Sequence, residues 1–201
     1  MHELASEPDE TRAPAPDPIF SRRMAGAAVV LALVYAAAAG PQLTGHAATL
    51  PWLLVSAALA VTLIVLSAID AETFRLPDLV TLPLLAAGLA LAALDGSSMV
   101  QWNAASAALG ALALWSVNAV YKQLRGSDGL SFGDVKLFAA AGAWVGAEGL
   151  ASVLLVACGA ALALVIMWRL RNPVLSRLTA LPFGPFLAFG LWIVWLYGPL
   201  T

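Results

Sequence analysis

Cysteine and histidine are almost missing from this chain. One cysteine, Cys158, sits inside an apolar run, and the two histidines, His2 and His46, are far apart. An intrachain disulfide and a Cys-rich zinc site are both excluded. The histidines offer no metal cluster, so neither metal nor cofactor is expected, and Cys158 reads as a small packing residue. Charge is scarce as well: 11% of residues are charged, against roughly 25% in a soluble domain. The formal net charge of -2 singles out no class of partner, and no nucleic-acid partner is expected. Neither a sheet, an internal repeat nor a second soluble domain is visible.

Apolar residues fill the space that charge leaves. They make up 61% of the 201 residues, and the mean hydropathy is +0.87. Seven apolar blocks can be drawn, at about 24–40, 50–69, 79–94, 102–121, 134–147, 149–168 and 183–198. Their lengths approach the roughly 20 residues a helix needs to cross a bilayer. An all-α polytopic membrane protein is therefore expected, in contact with membrane lipid. Residues 1–23 differ, with Glu3, Glu7, Asp9, Glu10, Asp17, four prolines and no apolar periodicity. Such a segment buries too little surface to offset its ordering entropy, and it reads as a disordered cytoplasmic tail before a membrane-embedded domain over 24–201. Its acidic start argues against a signal peptide, although Ala36–Gly40 behind Arg22 and Arg23 imitates a cleavage site.

The basic residues decide the orientation. With seven spans and a cytoplasmic N-terminus, Arg12, Arg22, Arg23, Arg75, Lys122, Arg125, Lys136, Arg169, Arg171 and Arg177 all fall on the cytoplasmic side. The opposite loops, about 41–49, 95–101 and 147–149, contain no Lys or Arg. That distribution obeys the positive-inside rule, and merging the fifth and sixth blocks would break it. A turn is thus expected near Gly146–Gly149, beside Glu148. Trp52, Trp102, Trp144, Trp195 and Tyr197 then form an outer aromatic belt, with Trp168 near the inner interface. Gly142 and Gly146 make a GxxxG suited to close helix packing.

Carboxylates beside hydrocarbon are costly and call for a reason. Asp70 ends the apolar run Leu53–Ile69, and Asp134 opens another in Ser131-Phe132-Gly133-Asp134-Val135-Lys136. Both lie at cytoplasmic helix ends, on different spans that folding can bring together. Two close carboxylates share one proton, because both cannot ionise cheaply at short separation. One then acts as general base on water while the other, protonated, polarises a scissile carbonyl. Simpler readings stand beside this one. Asp134 and Asp78 are suitable helix caps, Asp70 a solvated boundary residue, and Arg75 and Lys136 ordinary anchors. At this level peptide hydrolysis and the ion or proton handling of a transporter or assembly factor remain level.

Three ordered segments break the tie. Asp70 to Leu85 (DAETFRLPDLVTLPLL), Trp115 to Gly146 (WSVNAVYKQLRGSDGLSFGDVKLFAAAGAWVG) and Leu181 to Gly190 (LPFGPFLAFG) resemble the type IV prepilin peptidases. The second segment resembles the region of that family's GxGDxK motif. The resemblance implies an aspartic endopeptidase of the bacterial inner membrane, its active site facing the cytoplasm. It would cut the short basic leader from type IV prepilins or type II secretion pseudopilins. It places the catalytic aspartates on Asp70 and Asp134, with Gly133, Lys136 and Asp78 in support. Gly133 would permit close backbone approach, and Lys136 would hold one aspartate ionised or orient the loop. Two departures matter. Ser131 replaces the first glycine of GxGD, and a hydroxyl there can help cap the helix. Many members also carry paired CxxC motifs in a cytoplasmic domain associated with N-methylation. With Cys158 alone, a peptidase-only form is expected and N-methyltransferase activity is doubtful. A presenilin-type protease, which shares the GxGD idea, would instead cut inside a substrate's membrane span. Oligomeric state is not legible.

Overall fold

A computed structural model describes residues 32–40, 49–126, 129–171 and 182–200. The tail expected over 1–23, the basic residues Arg12, Arg22, Arg23 and Arg177, and the side chain of Trp168 lie outside the described residues. All regular structure among the described residues is helical: α1 (32–40), α2 (Leu50–Thr73), α3 (Asp78–Leu94), α4 (Ser97–Arg125), α5 (Phe132–Arg171) and α6 (Gly184–Tyr197). Among the described residues, three stretches are long and apolar enough to cross a membrane, Leu50–Thr73, Ser97–Arg125 and Phe132–Met167. α3 and α6 are shorter apolar helices.

α5 is two helical arms rather than one rod. Gly146 interrupts it with φ 66° and ψ -178°, a conformation essentially confined to glycine. Ala143 O would bond the N–H of residue 147 in an unbroken helix, and Asn103 Nδ2 donates to it instead at 3.0 Å. The second arm folds back beside the first. Gly110 of α4 lies against both Phe138 and Leu150, while Gly190 of α6 lies against Val153 and Ala157. The turn expected at Gly146–Gly149 is therefore made by Gly146 alone, since residues 147–149 are already helical. Gly142 does make the expected close approach: a Cβ there would lie 2.6 Å from Ser106 O of α4. Its GxxxG partner serves as the hinge.

Contacts fix the direction of every element. α2 places Ser56 against Trp195 at one end, with a 2.9 Å bond from Nε1 to Oγ, and Asp70 against Gly184 at the other. α3 begins beside Lys136 and reaches Trp144, whose Nε1 donates to Leu84 O at 2.8 Å. α4 runs from Asn103, at the break, down to Asn118, near the start of α5. α1 follows α6, with Tyr35 stacked on Trp192 and Ala38 O accepting from Tyr197 Oη at 2.6 Å. The helices thus alternate up and down about a core of Leu59, Leu63, Leu66, Leu137, Leu187 and Leu191.

The belt expectation needs refinement at two positions. Trp144 and Trp195 pack edge to face at 5.2 Å and spend their N–H groups on neighbouring helices. They tie α2, α3, α5 and α6 together at one end, whereas Trp102 is 52% exposed.

Candidate active site

Asp70 is the last member of a stripe on α2. Ser56, Leu59, Leu63, Leu66, Ser67 and Asp70 are all buried at helical spacing, so the periodicity that buries the leucines also turns the carboxylate inward. It is 2% exposed. α2 ends one turn later at Phe74, whose φ of 52° is left-handed and whose N–H bonds Asp70 O at 2.9 Å. The chain then reverses through Leu76 and Pro77 into α3.

Asp70 meets the first turn of α6. Gly184 follows the N-cap Phe183, so its N–H has no intrahelical acceptor. Asp70 Oδ2 accepts it at 3.0 Å. The carboxylate therefore faces the positive end of the α6 dipole, a favourable place for an anion. A Cβ at 184 would lie 2.5 Å from Oδ2.

Asp134 is 3% exposed and lies in the first turn of α5. It is not the cap itself. Its carboxylate Oδ2 accepts the N–H of Ser131 at 3.0 Å, and Ser131 Oγ accepts the N–H of Asp134 at 3.2 Å. These reciprocal bonds across three residues are a capping box, with aspartate in the place of the usual Glu or Gln. Ser131 thus does what a glycine there cannot. Among the described residues, Asp134 Oδ1 is buried and has no hydrogen-bond partner.

The two aspartates are brought to one end of the bundle, Asp70 against the first turn of α6 and Asp134 in the first turn of α5. Gly133 permits this convergence, since a Cβ there would lie 2.8 Å from Leu76 Cβ. Asp78, in the first turn of α3, accepts a hydrogen bond from Lys136 Nζ, which also lies 4.7 Å from the centroid of the Phe132 ring. Lys136 is therefore directed at Asp78 rather than at either buried aspartate. It ties the start of α3 to the start of α5.

Sequence reasoning overlooked Gly184 and Asn118. Gly184 is signalled weakly, as a residue opening an apolar helix ahead of Pro185, where an orphan N–H needs an acceptor. Asn118 Oδ1 accepts the N–H groups of Gly129 and Leu130, each at 3.0 Å. It holds the approach to Ser131, and an asparagine late in an apolar helix was its only mark.

Comparison with known proteins adds an independent line. A model of the Type IV leader peptidase family matches residues 57–166, which contain both aspartates. A Burkholderia pseudomallei protein named "Prepilin leader peptidase/N-methyltransferase" is 45% identical over 134 residues, covering 66% of this chain and 42% of the relative. Proteins of the same name from Xanthomonas campestris and Pseudomonas aeruginosa are 38% and 41% identical, over 68% of this chain and 47% of each relative. The chain spans less than half the length of these curated relatives. No solved structure matches it.

Proposed function

Because the chain belongs to the type IV leader peptidase family, we propose that it is a membrane aspartic endopeptidase that removes the short basic leader of type IV prepilins or type II secretion pseudopilins. Asp70 and Asp134 carry the chemistry. One carboxylate takes a proton from water as its oxygen attacks the scissile carbonyl carbon. The other, protonated, donates to the carbonyl oxygen. As the tetrahedral intermediate collapses the C–N bond breaks, the proton taken from water passes to the leaving amine, and the proton on the former carbonyl oxygen returns to the second carboxylate.

The observation that carries this reading is Asp134 Oδ1, buried and without a hydrogen-bond partner among the described residues, at the bundle end that also holds Asp70. A buried carboxylate oxygen without a partner is costly; a water satisfies it by donating to it, and in the protonated carboxyl the same oxygen donates to a substrate carbonyl. Gly133, Lys136 and Asp78 act in support, by letting the α2–α3 turn approach and by holding it there.

The reading includes seven crossings of the bacterial inner membrane, a cytoplasmic N-terminus and a catalytic end facing the cytoplasm. Its support is the clustering of charge. Arg75, Lys122, Arg125, Lys136, Arg169 and Arg171 belong to the helix ends shared with the aspartates, and Asp95 and Glu148 to the opposite end.

The test is to co-express a prepilin with the wild-type chain, D70N or D134N, and to read the substrate's N-terminus by mass spectrometry. Cleavage by the wild type and loss in both variants is expected. Normal processing by either variant would remove that aspartate from the mechanism. A prepilin left intact by the wild type would favour a transporter or assembly role on the same scaffold. A cut inside the substrate's membrane span would indicate a presenilin-type activity. Methylation of the new N-terminus is read in the same spectrum.

A further inference from the structure

We propose that Ser131 is a positioning residue for Asp134, its hydroxyl fixing the carboxylate so that Oδ2 is held by backbone and Oδ1 is presented bare to the reacting atoms. The proposal rests on the proteolytic reading above.

An aspartate side chain has two rotatable bonds, and in a first helical turn it can point outward or fold back over the cap. Ser131 selects the folded-back state. The Asp134 N–H is shared between Ser131 O at 3.1 Å and Ser131 Oγ at 3.2 Å. Bonding to Oγ pins the serine backbone against the helix start, so that its own N–H is aimed at Asp134 Oδ2 at 3.0 Å. The ring so closed leaves Oδ1 as the carboxylate's free oxygen among the described residues. Asn118 reinforces the ring by accepting the N–H groups of the two residues ahead of Ser131. On the other side, Gly133 seats this turn against Leu76.

Alanine or glycine at position 131 keeps the backbone N–H and removes the acceptor that orients it. The carboxylate then regains rotational freedom, and the population aligned for attack falls. Such a loss appears in turnover rather than in substrate affinity, because it acts on alignment of the reacting groups. A helix cap with no catalytic part would lower the folded fraction instead, leaving each folded molecule fully active.

The experiment uses the full chain in proteoliposomes with a purified prepilin, and rates are normalised to the folded fraction from thermal melts. S131A is expected to lower kcat about tenfold, by analogy with the cost of small misalignments in other sites. KM is expected to stay within about twofold, and S131T, which keeps the hydroxyl, to recover kcat to within about threefold. Wild-type kcat in normalised S131A would overturn the proposal, and so would a raised KM with unchanged kcat. If S131T folds normally and is as slow as S131A, the hydroxyl is not the agent and the proposal fails. Failure of the wild type to cut any prepilin would defeat the proteolytic reading instead.

Discussion

The backbone N–H of Gly184 donates to Asp70 Oδ2 at 3.0 Å across 114 residues of sequence, and there is no space for a side chain between them. One carboxylate thereby serves two purposes. It caps the first turn of α6, and it takes up a fixed position relative to α5, against which α6 packs. Asp134 stands in the same relation to its own helix start, through Ser131. Both aspartates thus hold one oxygen on a helix N-terminus, a preorganised arrangement of backbone dipoles around the pair.

Gly184→Ala tests that relation directly. The added Cβ would lie 2.5 Å from Oδ2 and 2.8 Å from Cγ of Asp70, so carboxylate or helix must shift. A displacement on the order of 1 Å at a reacting group costs about 100-fold in rate. We expect prepilin cleavage to fall by about that factor while the protein still inserts and folds. Cleavage within threefold of wild type, measured on purified protein, would show that the Asp70–Gly184 contact is dispensable.

Lys136 and Asp78 should matter much less. The Asp78 side chain is 58% exposed and that of Lys136 26%, and solvent-screened pairs of this kind contribute about 0–1 kcal/mol. We expect K136Q and D78N each to keep cleavage within about tenfold of wild type. In a double-mutant cycle the combined variant should be no worse than the poorer single one. An additive loss in the double variant would mean that each residue acts separately, for instance on the substrate.

The apolar helices and both aspartates were legible in the sequence, but the points where the helices end were not. Apolar blocks mark where hydrocarbon is tolerated, not where helical hydrogen bonding stops. The helices accordingly continue through polar residues, Asp70–Thr73 in α2 and Lys122–Arg125 in α4. Asp70 therefore sits within a helix on its buried stripe, not at a solvated boundary. Asp134 lies three residues beyond its cap because Ser131 occupies the cap position. The pairings Gly184–Asp70 and Lys136–Asp78 join segments 114 and 58 residues apart, and no local pattern encodes them. The turn between the fifth and sixth blocks was legible from charge, yet its placement on Gly146 depended on a backbone conformation.

Gly146→Ala should separate stability from chemistry. At φ 66° and ψ -178° a residue with a Cβ is strained by about 1–3 kcal/mol. Space is not the obstacle, because the nearest atom to an added Cβ would be Asn103 Oδ1 at 3.5 Å. The break lies at the far end of the first arm from Asp134. We expect a lower melting temperature in detergent, with near-normal cleavage per folded molecule. An unchanged melting temperature would show that α5 can turn here by another route.

The orientation of the bundle can be read with the help of the chain's one cysteine. Cys158 is exposed on the second arm of α5, so C158S supplies a cysteine-free background with little disturbance of packing. Exposed positions at both ends are available: Arg75 and Arg125 beside the aspartates, Asp95 and Glu148 at the opposite end. Retention of Lys and Arg on the cytoplasmic side predicts which of these meet the outside. Applied to spheroplasts with an intact inner membrane, a membrane-impermeant maleimide should label cysteine introduced at 95 or 148. Cysteine at 75 or 125 should react only after the membrane is permeabilised. Because the helices alternate, both residues of each pair must behave alike. The reverse pattern would put the aspartates outside, away from a leader held in the cytoplasm, and cytoplasmic cleavage would have to be abandoned. Labelling of one residue from each pair would contradict the seven-crossing arrangement itself.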